Sequence, residues 1–224
     1  MLKKATDKST LHYKKALTDS TYLILANILA NVLSLSTGMF LVRVMLPEQY
    51  GLVAYFFKIF GLARFIGTLG LAAKVIEDVA HNSATGNRRR LGQTVYTLGS
   101  VRIVSVLGLS MGLLALAWVR QDSLFAWAGV ASSFASFSDF TGSVARGLRK
   151  RTAVALLSLV HPSIFLAGSV YLMLTGNATA LRACVVFSMS FLPTMLFYLF
   201  VLQRSALPTW SWKSISWPYL RGAL

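Results

Sequence analysis

The sequence predicts an all-α polytopic transmembrane protein, a bundle of about six spanning helices. Hydrophobic residues make up 55% of the 224 residues, whereas soluble domains use about 45–50%. The mean hydropathy is correspondingly high, at +0.62. A spanning helix needs about 20 mostly apolar residues. Six segments meet that length: 21–46, 51–71, 94–119, 124–144, 153–174 and 181–202.

Short polar separators divide these segments, among them Pro47-Glu48, Gln121-Asp122-Ser123 and Gly176-Asn177. Connections this tight are typical of antiparallel neighbours, so consecutive helices are expected to pack side by side. The single cysteine, Cys184, excludes a disulfide within the chain. It lies in an apolar segment and is predicted to be a packing residue.

The charge distribution predicts the orientation. The chain has 22 Lys and Arg against 7 Asp and Glu, for a net charge of +15. No nucleic-acid-binding motif accompanies this charge, whereas cytoplasmic loops of membrane proteins are enriched in Lys and Arg. The basic clusters fall on alternate connections: 1–20, 88–90, 146–151 and the stretch after Arg204. We expect a multi-pass protein of the inner (plasma) membrane, with both ends of the six-helix unit cytoplasmic and no nucleic-acid partner.

The two termini differ from the six-helix unit. The first segment follows a lysine-rich stretch and is too long for a signal-peptide core, so we expect an uncleaved helix. Three tryptophans with basic residues near the C-terminus are typical of an interfacial segment. The predicted organisation is a basic cytoplasmic arm (1–20), a six-helix lobe (21–203) and a cytoplasmic interfacial segment leading into a further helix (204–224). The chain is then either a natural half-unit or a fragment.

The second segment carries two charges, Lys58 and Arg64. Ionisable side chains at membrane depth cost roughly 2.5–3.5 kcal/mol each, so they usually face a bundle interior or a wet cavity. At 100° per residue, both fall on one arc of about 120°. That arc also holds Gly61, Phe65 and Thr68, and the opposite side holds Phe56, Ile59, Phe60, Ala63 and Ile66. The pattern predicts a helix with an apolar back and a cationic front that faces an anion.

The stretch 67–79 is predicted to turn out of the second helix into the cytoplasmic interface. Two glycines weaken the helix there, and the cluster of Lys74, Glu77 and Asp78 is too polar for the bilayer. We expect Lys74 to pair with Glu77 or Asp78 at i,i+3 or i,i+4 spacing.

Four short runs stand in order along the chain: RVMLPEQYG at 43–51, LGLAA at 69–73, ARGLRK at 145–150 and WPYLR at 217–221. The first resembles the Arg-x-Leu-Gly-Pro-x-x-Tyr/Phe-Gly signature of bacterial and archaeal polysaccharide flippases, with Met45 and Leu46 in place of the leucine and glycine. The others are similar to runs that follow the second helix, close the fourth and approach the seventh in that family. The resemblance covers nearly the whole chain and identifies it with the N-terminal half of such a protein.

This resemblance implies an exporter of the multidrug/oligosaccharidyl-lipid/polysaccharide superfamily, with two six-helix lobes around a central cavity. Such proteins move polyprenyl-diphosphate-linked oligosaccharides outward by alternating access, for lipopolysaccharide and other surface polysaccharides. The expected partners are the lipid-linked oligosaccharide, membrane lipids, a coupling proton or sodium ion, and the missing C-terminal lobe or a second copy. No cofactor is expected.

Four residues are candidates for substrate binding: Lys58, Arg64, Asp139 and Arg102. Arginine offers a bidentate fork for phosphate oxygens. Lys58 lies about 11 Å past Gly51, so it would be strained if it reached the outer interface. Arg64 and Arg102 can equally be explained as snorkelling side chains.

Asp139 is the only acid inside a predicted span. It is interpreted as a counter-ion to Lys58 or Arg64, or as a cation or proton site. The isolated His161 is expected to be packed or hydrogen-bonded, not catalytic.

Other classes of function are weighed against the exporter. An enzyme is disfavoured because Glu77-Asp78 is the only tight acidic pair and no Gly-rich phosphate loop is present. A truncated, non-transporting membrane scaffold and a related exporter of small organic cations stay open as alternatives.

Overall fold

The computed structural model describes the backbone of residues 2–68 and 71–203 and the side chains of 21–68 and 71–200. Within these ranges every regular element is a helix. The helices are α1 (Leu2–Val44), α2 (Pro47–Thr68), α3 (Leu71–Ala84), α4 (Arg88–Arg120), α5 (Ser123–Gly147), α6 (Arg151–Leu174) and α7 (Ala180–Gln203). The predicted all-α class is confirmed.

Five helices in the described part of the chain are long and apolar enough to cross a membrane: α1 from Thr21, α2, α4, α6 and α7. Helix α5, the predicted fourth span, is not among them. Its 25 residues extend about 37 Å, which exceeds the hydrocarbon thickness of about 30 Å. Helix α5 is therefore excluded by its composition and not by its length, because its buried residues are mostly Ala, Ser, Gly and Thr.

Helix α5 has this composition because it occupies the centre of the bundle, in contact with α2, α3, α4, α6 and α7. Small side chains let neighbouring helices approach closely. A Cβ added at Gly147 would lie 2.7 Å from the Cβ of Val79 in α3. A Cβ added at Gly142 would lie 3.1 Å from the hydroxyl of Tyr198 in α7. Small residues are therefore needed where these helices meet.

Helix α3 confirms the predicted break after the second span. Helix α2 ends at Thr68 and a separate helix begins at Leu71. The ammonium of Lys74 lies 3.2 Å from the carboxylate of Asp78, which is the i,i+4 alternative. The buried face of α3 packs against α4 and the end of α5 in one apolar cluster: Val75, Val79, Leu91, Val95, Leu98 and Val144.

The structure describes the backbone of the first predicted terminal segment but not that of the second. Helix α1 begins at Leu2, so the predicted arm 1–20 continues into the first span as one helix of 43 residues. The predicted interfacial segment 204–224 lies outside the described residues, as does the WPYLR run within it.

The two ends of the bundle differ in charge. One end carries the α3–α4 and α5–α6 connections and the starts of α4 and α6; we call it the basic end, after Arg88, Arg89, Arg90, Arg149, Lys150 and Arg151. The opposite, far end carries the connections α1–α2, α4–α5 and α6–α7. There the backbone N–H of Ala180 donates to Oε1 of Gln49 at 2.9 Å, which joins two connections. The cytoplasmic assignment of the basic end stays a prediction.

An aromatic cluster fills the bundle on the far-end side of its middle. It comprises Phe56, Phe57 and Phe60 of α2, Phe165 of α6, and Phe187 and Phe191 of α7. Phe187 is at its centre, with ring centroids 4.8–5.7 Å from those of the other five. These contacts define the buried face of α2. The predicted apolar side supplies the buried residues Phe56, Phe60 and Ala63, whereas Lys58, Gly61 and Phe65 of the predicted cationic side are exposed. Ile66, expected on the apolar side, is instead 47% exposed, because the buried stripe continues through Gly67.

Candidate functional site

A polar cavity of about 290 Å³ lies on the basic-end side of the aromatic cluster. Helices α1, α2, α5, α6 and α7 all contribute to its wall. Its polar lining consists of Asn27, Arg64, Ser138, Asp139, Arg146, Ser158, His161, Thr194 and Tyr198. A cavity lined in this way inside an apolar bundle is the strongest candidate for a binding site.

An ion pair between α2 and α5 lies in the wall of this cavity. Nε of Arg64 donates to Oδ2 of Asp139 at 2.8 Å, and Nη2 donates to Oδ1 at 2.8 Å. The two side chains are 42% and 28% exposed, so the pair can be reached from the cavity. Asp139 thus pairs with Arg64, one of the two partners that the sequence left open. This bidentate geometry also anchors Arg64, so its side chain does not extend freely towards an interface.

Arg146 gives the cavity an excess of positive charge. It lies two helical turns beyond Asp139 on α5, and its Nε donates to the carbonyl of Gly142 at 3.4 Å. Because Arg64 and Asp139 neutralise each other, Arg146 leaves the lining at +1 when His161 is neutral. The sequence does not indicate this role, because Arg146 begins the basic run 146–151, which a topology determinant fully explains.

His161 marks the border between the polar cavity and the aromatic cluster. Its Nδ1 lies 2.5 Å from the hydroxyl of Ser190. Its ring stacks on Phe191 with a centroid separation of 3.7 Å and an interplanar angle of 15°. The expectation of a packed, hydrogen-bonded histidine is confirmed. The position of His161 in the cavity wall has no signal in the sequence, because the lining depends on contacts between helices.

Arg102 lies behind Asp139, outside the polar cavity. The residue is 5% exposed. Its Nη2 donates to the carbonyl of Ser136 at 3.3 Å, and its Nε is buried without a hydrogen-bond partner. Arg102 and Asp139 both line a second, small cavity of about 10 Å³ between α3, α4 and α5. The guanidinium is therefore enclosed by protein and does not snorkel.

Lys58 is exposed and does not line the polar cavity. It precedes Arg64 by six residues, or about 9 Å along α2. Of the four candidate residues, the structure brings Arg64 and Asp139 together, places Arg102 behind them and leaves Lys58 on an open surface of the bundle. Within 21–68 and 71–200, no three His, Cys, Asp or Glu side chains are close enough to hold a metal ion.

Comparison with known proteins supplies the context for this site. A family model described as "Polysaccharide biosynthesis protein" matches residues 16–213. The fold is similar to the crystal structure of a MATE protein in the straight conformation, with a TM-score of 0.73 and 15% identity over 93% of this chain and 50% of that one. It is also similar to a multidrug resistance MATE family transporter of the MOP superfamily in an outward-facing conformation, with a TM-score of 0.72 and 17% identity over 94% and 50%. A search of curated proteins finds no match. The chain spans about half the length of the two solved structures.

Proposed function

The chain belongs to the polysaccharide biosynthesis protein family, and from this premise we propose that it forms the N-terminal lobe of an exporter for polyprenyl-diphosphate-linked oligosaccharide. Its five apolar helices and its similarity to half of a MATE fold support a multi-pass membrane protein of this kind. A second lobe, from a further segment or a second copy, would complete the central cavity. Alternating access would then be a rocking of the two lobes around the substrate.

One observation carries the choice of an anionic substrate: the polar cavity has an excess of positive charge, with the guanidinium of Arg64 exposed beside its partner Asp139. Arg64 presents its guanidinium to the cavity, and Arg146 lines the same wall. Guanidinium groups bind phosphate oxygens through two parallel hydrogen bonds. The attraction is stronger in an apolar bundle than in water because the effective dielectric constant is lower. A diphosphate could therefore be held here while its lipid chain remains in the bilayer.

Asp139 would hold Arg64 in position while the cavity is empty. An arginine without a partner at this depth would be costly. The ion pair keeps its guanidinium oriented and reduces that cost until an anion arrives. The same pairing makes Asp139 a weaker candidate for a coupling proton or sodium ion, since Arg64 already neutralises its charge.

A small organic cation is the second candidate substrate, because one of the similar solved structures is a multidrug resistance transporter. Asp139 is the only acidic residue in the lining of the polar cavity, and Arg64 occupies both of its carboxylate oxygens. A lining of net positive charge favours the anion over this alternative.

Lys58 has a separate part in the proposal. Its exposed position on α2 would face the central space between two lobes, where it would attract the diphosphate before the phosphates reach Arg64. Arg102 would act on the substrate only through Asp139.

The test is export by the complete gene product in cells that lack their own exporter, measured as surface polysaccharide. Arg64→Gln should abolish export, and Lys58→Ala and Lys58→Glu should each impair it, while membrane insertion stays intact. Lys74→Ala, which removes a cation on α3 outside both cavities, is the matched control and should leave export unchanged. Full export by Arg64→Gln would overturn the proposed site. Full export by both Lys58 variants would remove Lys58 from the site.

A further inference from the structure

We propose that Asp139 is a carboxylate exchanged between two arginines. It pairs with Arg64 while the polar cavity is empty, and it turns to Arg102 when an anion binds Arg64. The inference rests on the proposed function, because the anion is taken to be the phosphate groups of the substrate.

Asp139 is the one residue that lines both the polar cavity and the small cavity of about 10 Å³. Arg64 lines the first but not the second, and Arg102 lines the second but not the first. Asp139 is thus the residue that the cavity of Arg64 and the cavity of Arg102 have in common. The exchange would use the two rotatable bonds of the aspartate side chain.

Arg102 is an incompletely satisfied partner. Its enclosed guanidinium donates to Ser136 through a long hydrogen bond of 3.3 Å, and its Nε has no acceptor. Buried polar groups nearly always have a partner, and an unpaired donor on a charged group is especially costly. Asp139 shares the small cavity with Arg102, and Arg64 is the partner of Asp139. Asp139 is the only one of the two that can accept a hydrogen bond from Arg102.

The exchange explains how an anion could bind at an arginine that is already paired. If Asp139 stayed in place, its negative charge would repel the incoming phosphates. If it left Arg64 for water or lipid, it would lose its partner. Turning to Arg102 avoids both costs, because the carboxylate remains paired and the Nε of Arg102 gains an acceptor.

The exchange would also change which helices are joined. The ion pair connects α2 to α5 in the empty state and would connect α4 to α5 in the occupied state. Anion binding would then have different strengths in two arrangements of the bundle, which is the requirement for a ligand to shift a conformational equilibrium. Arg102 would thus be a positioning residue for Asp139, and not only a buried arginine.

The experiment is a double-mutant cycle on the purified chain in lipid nanodiscs, with binding of inorganic pyrophosphate measured by calorimetry. Asp139→Asn removes the competing charge from Arg64 and should raise the affinity about tenfold, as expected for a charged hydrogen bond. Arg102→Met removes the alternative partner and should lower the affinity about tenfold for the same reason. In the Asp139→Asn background, Arg102→Met should lower the affinity for pyrophosphate no more than Lys74→Met does. The Lys74 variant is the control because it removes one distant positive charge.

Two further variants keep the test independent of folding. Arg102→Lys retains a cation for Asp139 and should keep most of the affinity. Arg102→Gln, which can still donate to Ser136, replaces the methionine variant if that protein does not purify as a single species. An equal effect of the Arg102 substitution in both backgrounds overturns the exchange and leaves the proposed function standing. Absence of pyrophosphate binding by the unmodified chain overturns both.

Discussion

The aromatic cluster and the polar cavity meet on three helices, α2, α6 and α7, and are one helical turn apart on each. On α2 the step runs from Phe60 to Arg64, and on α6 it runs from Phe165 to His161. On α7 it runs from Phe191, which contacts both regions, to Thr194. Three or four residues therefore separate a packed apolar core from a polar wall. The comparison shows that the cavity is closed towards the far end by interlocking rings, so an anion would enter from the basic-end side or laterally.

The largest effect is expected for Phe187→Ala, at the centre of the aromatic cluster. Phe187 is 7% exposed and contacts five other rings. Its truncation should lower the free energy of unfolding by about 3–5 kcal/mol, because the lost packing leaves a cavity. Thermal unfolding in detergent measures the change. Phe197→Ala, on the same helix but 54% exposed, is the control. Equal losses for the two variants would contradict the importance of the cluster.

The next effect is expected at the ion pair of the polar cavity. Asp139→Leu leaves both Arg64 and Arg102 without a carboxylate and should lower the free energy of unfolding by about 2 kcal/mol. This is less than the 3–5 kcal/mol for a fully buried pair, since both partners reach the cavity. Arg64→Met should cost less, because Asp139 can still turn to Arg102. Thermal unfolding measures both variants, and the reverse order of their effects would contradict the sharing of Asp139.

The border between the regions is tested by His161→Phe, which extends the aromatic surface by one turn. The exchange of similar ring volumes should change the free energy of unfolding by less than about 1.5 kcal/mol. Ser190 keeps its hydrogen bond to the carbonyl of Phe187 at 2.6 Å, so it is not left unsatisfied. Pyrophosphate affinity should fall, because the cavity loses one of its polar walls. Unchanged affinity, measured by calorimetry beside thermal unfolding, would place the anion elsewhere in the cavity.

The smallest effect is expected for the second ion pair, Lys74–Asp78. It joins neighbouring turns of α3, has one contact at 3.2 Å, and Lys74 is 41% exposed. Lys74→Met should lower the free energy of unfolding by only about 0.3–0.5 kcal/mol. Thermal unfolding should show the loss shrinking with added salt, since exposed pairs are screened. A loss as large as that of Asp139→Leu would erase the distinction between the two ion pairs.

The sequence predicts the bounds of the helices best where short polar turns enclose them, and it does so even for α5, which is not among the strongly apolar helices. The predicted segment 124–144 and helix α5, Ser123–Gly147, differ by three residues or fewer at each end. The presence of Lys58 and Arg64 at membrane depth was also evident. Their different positions were not, although both lie on one cationic arc. Six residues rotate the helix by one full turn and about 240° more. Measured the shorter way round the helix, the two side chains are therefore about 120° apart, at opposite edges of that arc.

The composition of the polar cavity could not be predicted in the same way. Its wall takes side chains from five helices, among them Asn27, His161 and Tyr198, which share no spacing along the chain. Arg146 belongs to a basic run that topology alone explains. The choice of Arg64 over Lys58 as partner for Asp139 depends on how α2 is rotated against α5. These features are fixed by packing between helices and not by any local pattern.

The small, polar surface of α5 also bears on biosynthesis. Two residues, Gln121 and Asp122, separate α5 from the strongly apolar α4. The hydroxyl of Ser110 in α4 lies 2.6 Å from that of Ser133 in α5, and Arg102 of α4 donates to the backbone of α5. A polar helix enters lipid more readily when a neighbour satisfies its hydrogen-bonding groups. Helix α5 is thus suited to insertion as the second arm of a hairpin, partitioning together with α4 as the nascent chain leaves the translocation machinery.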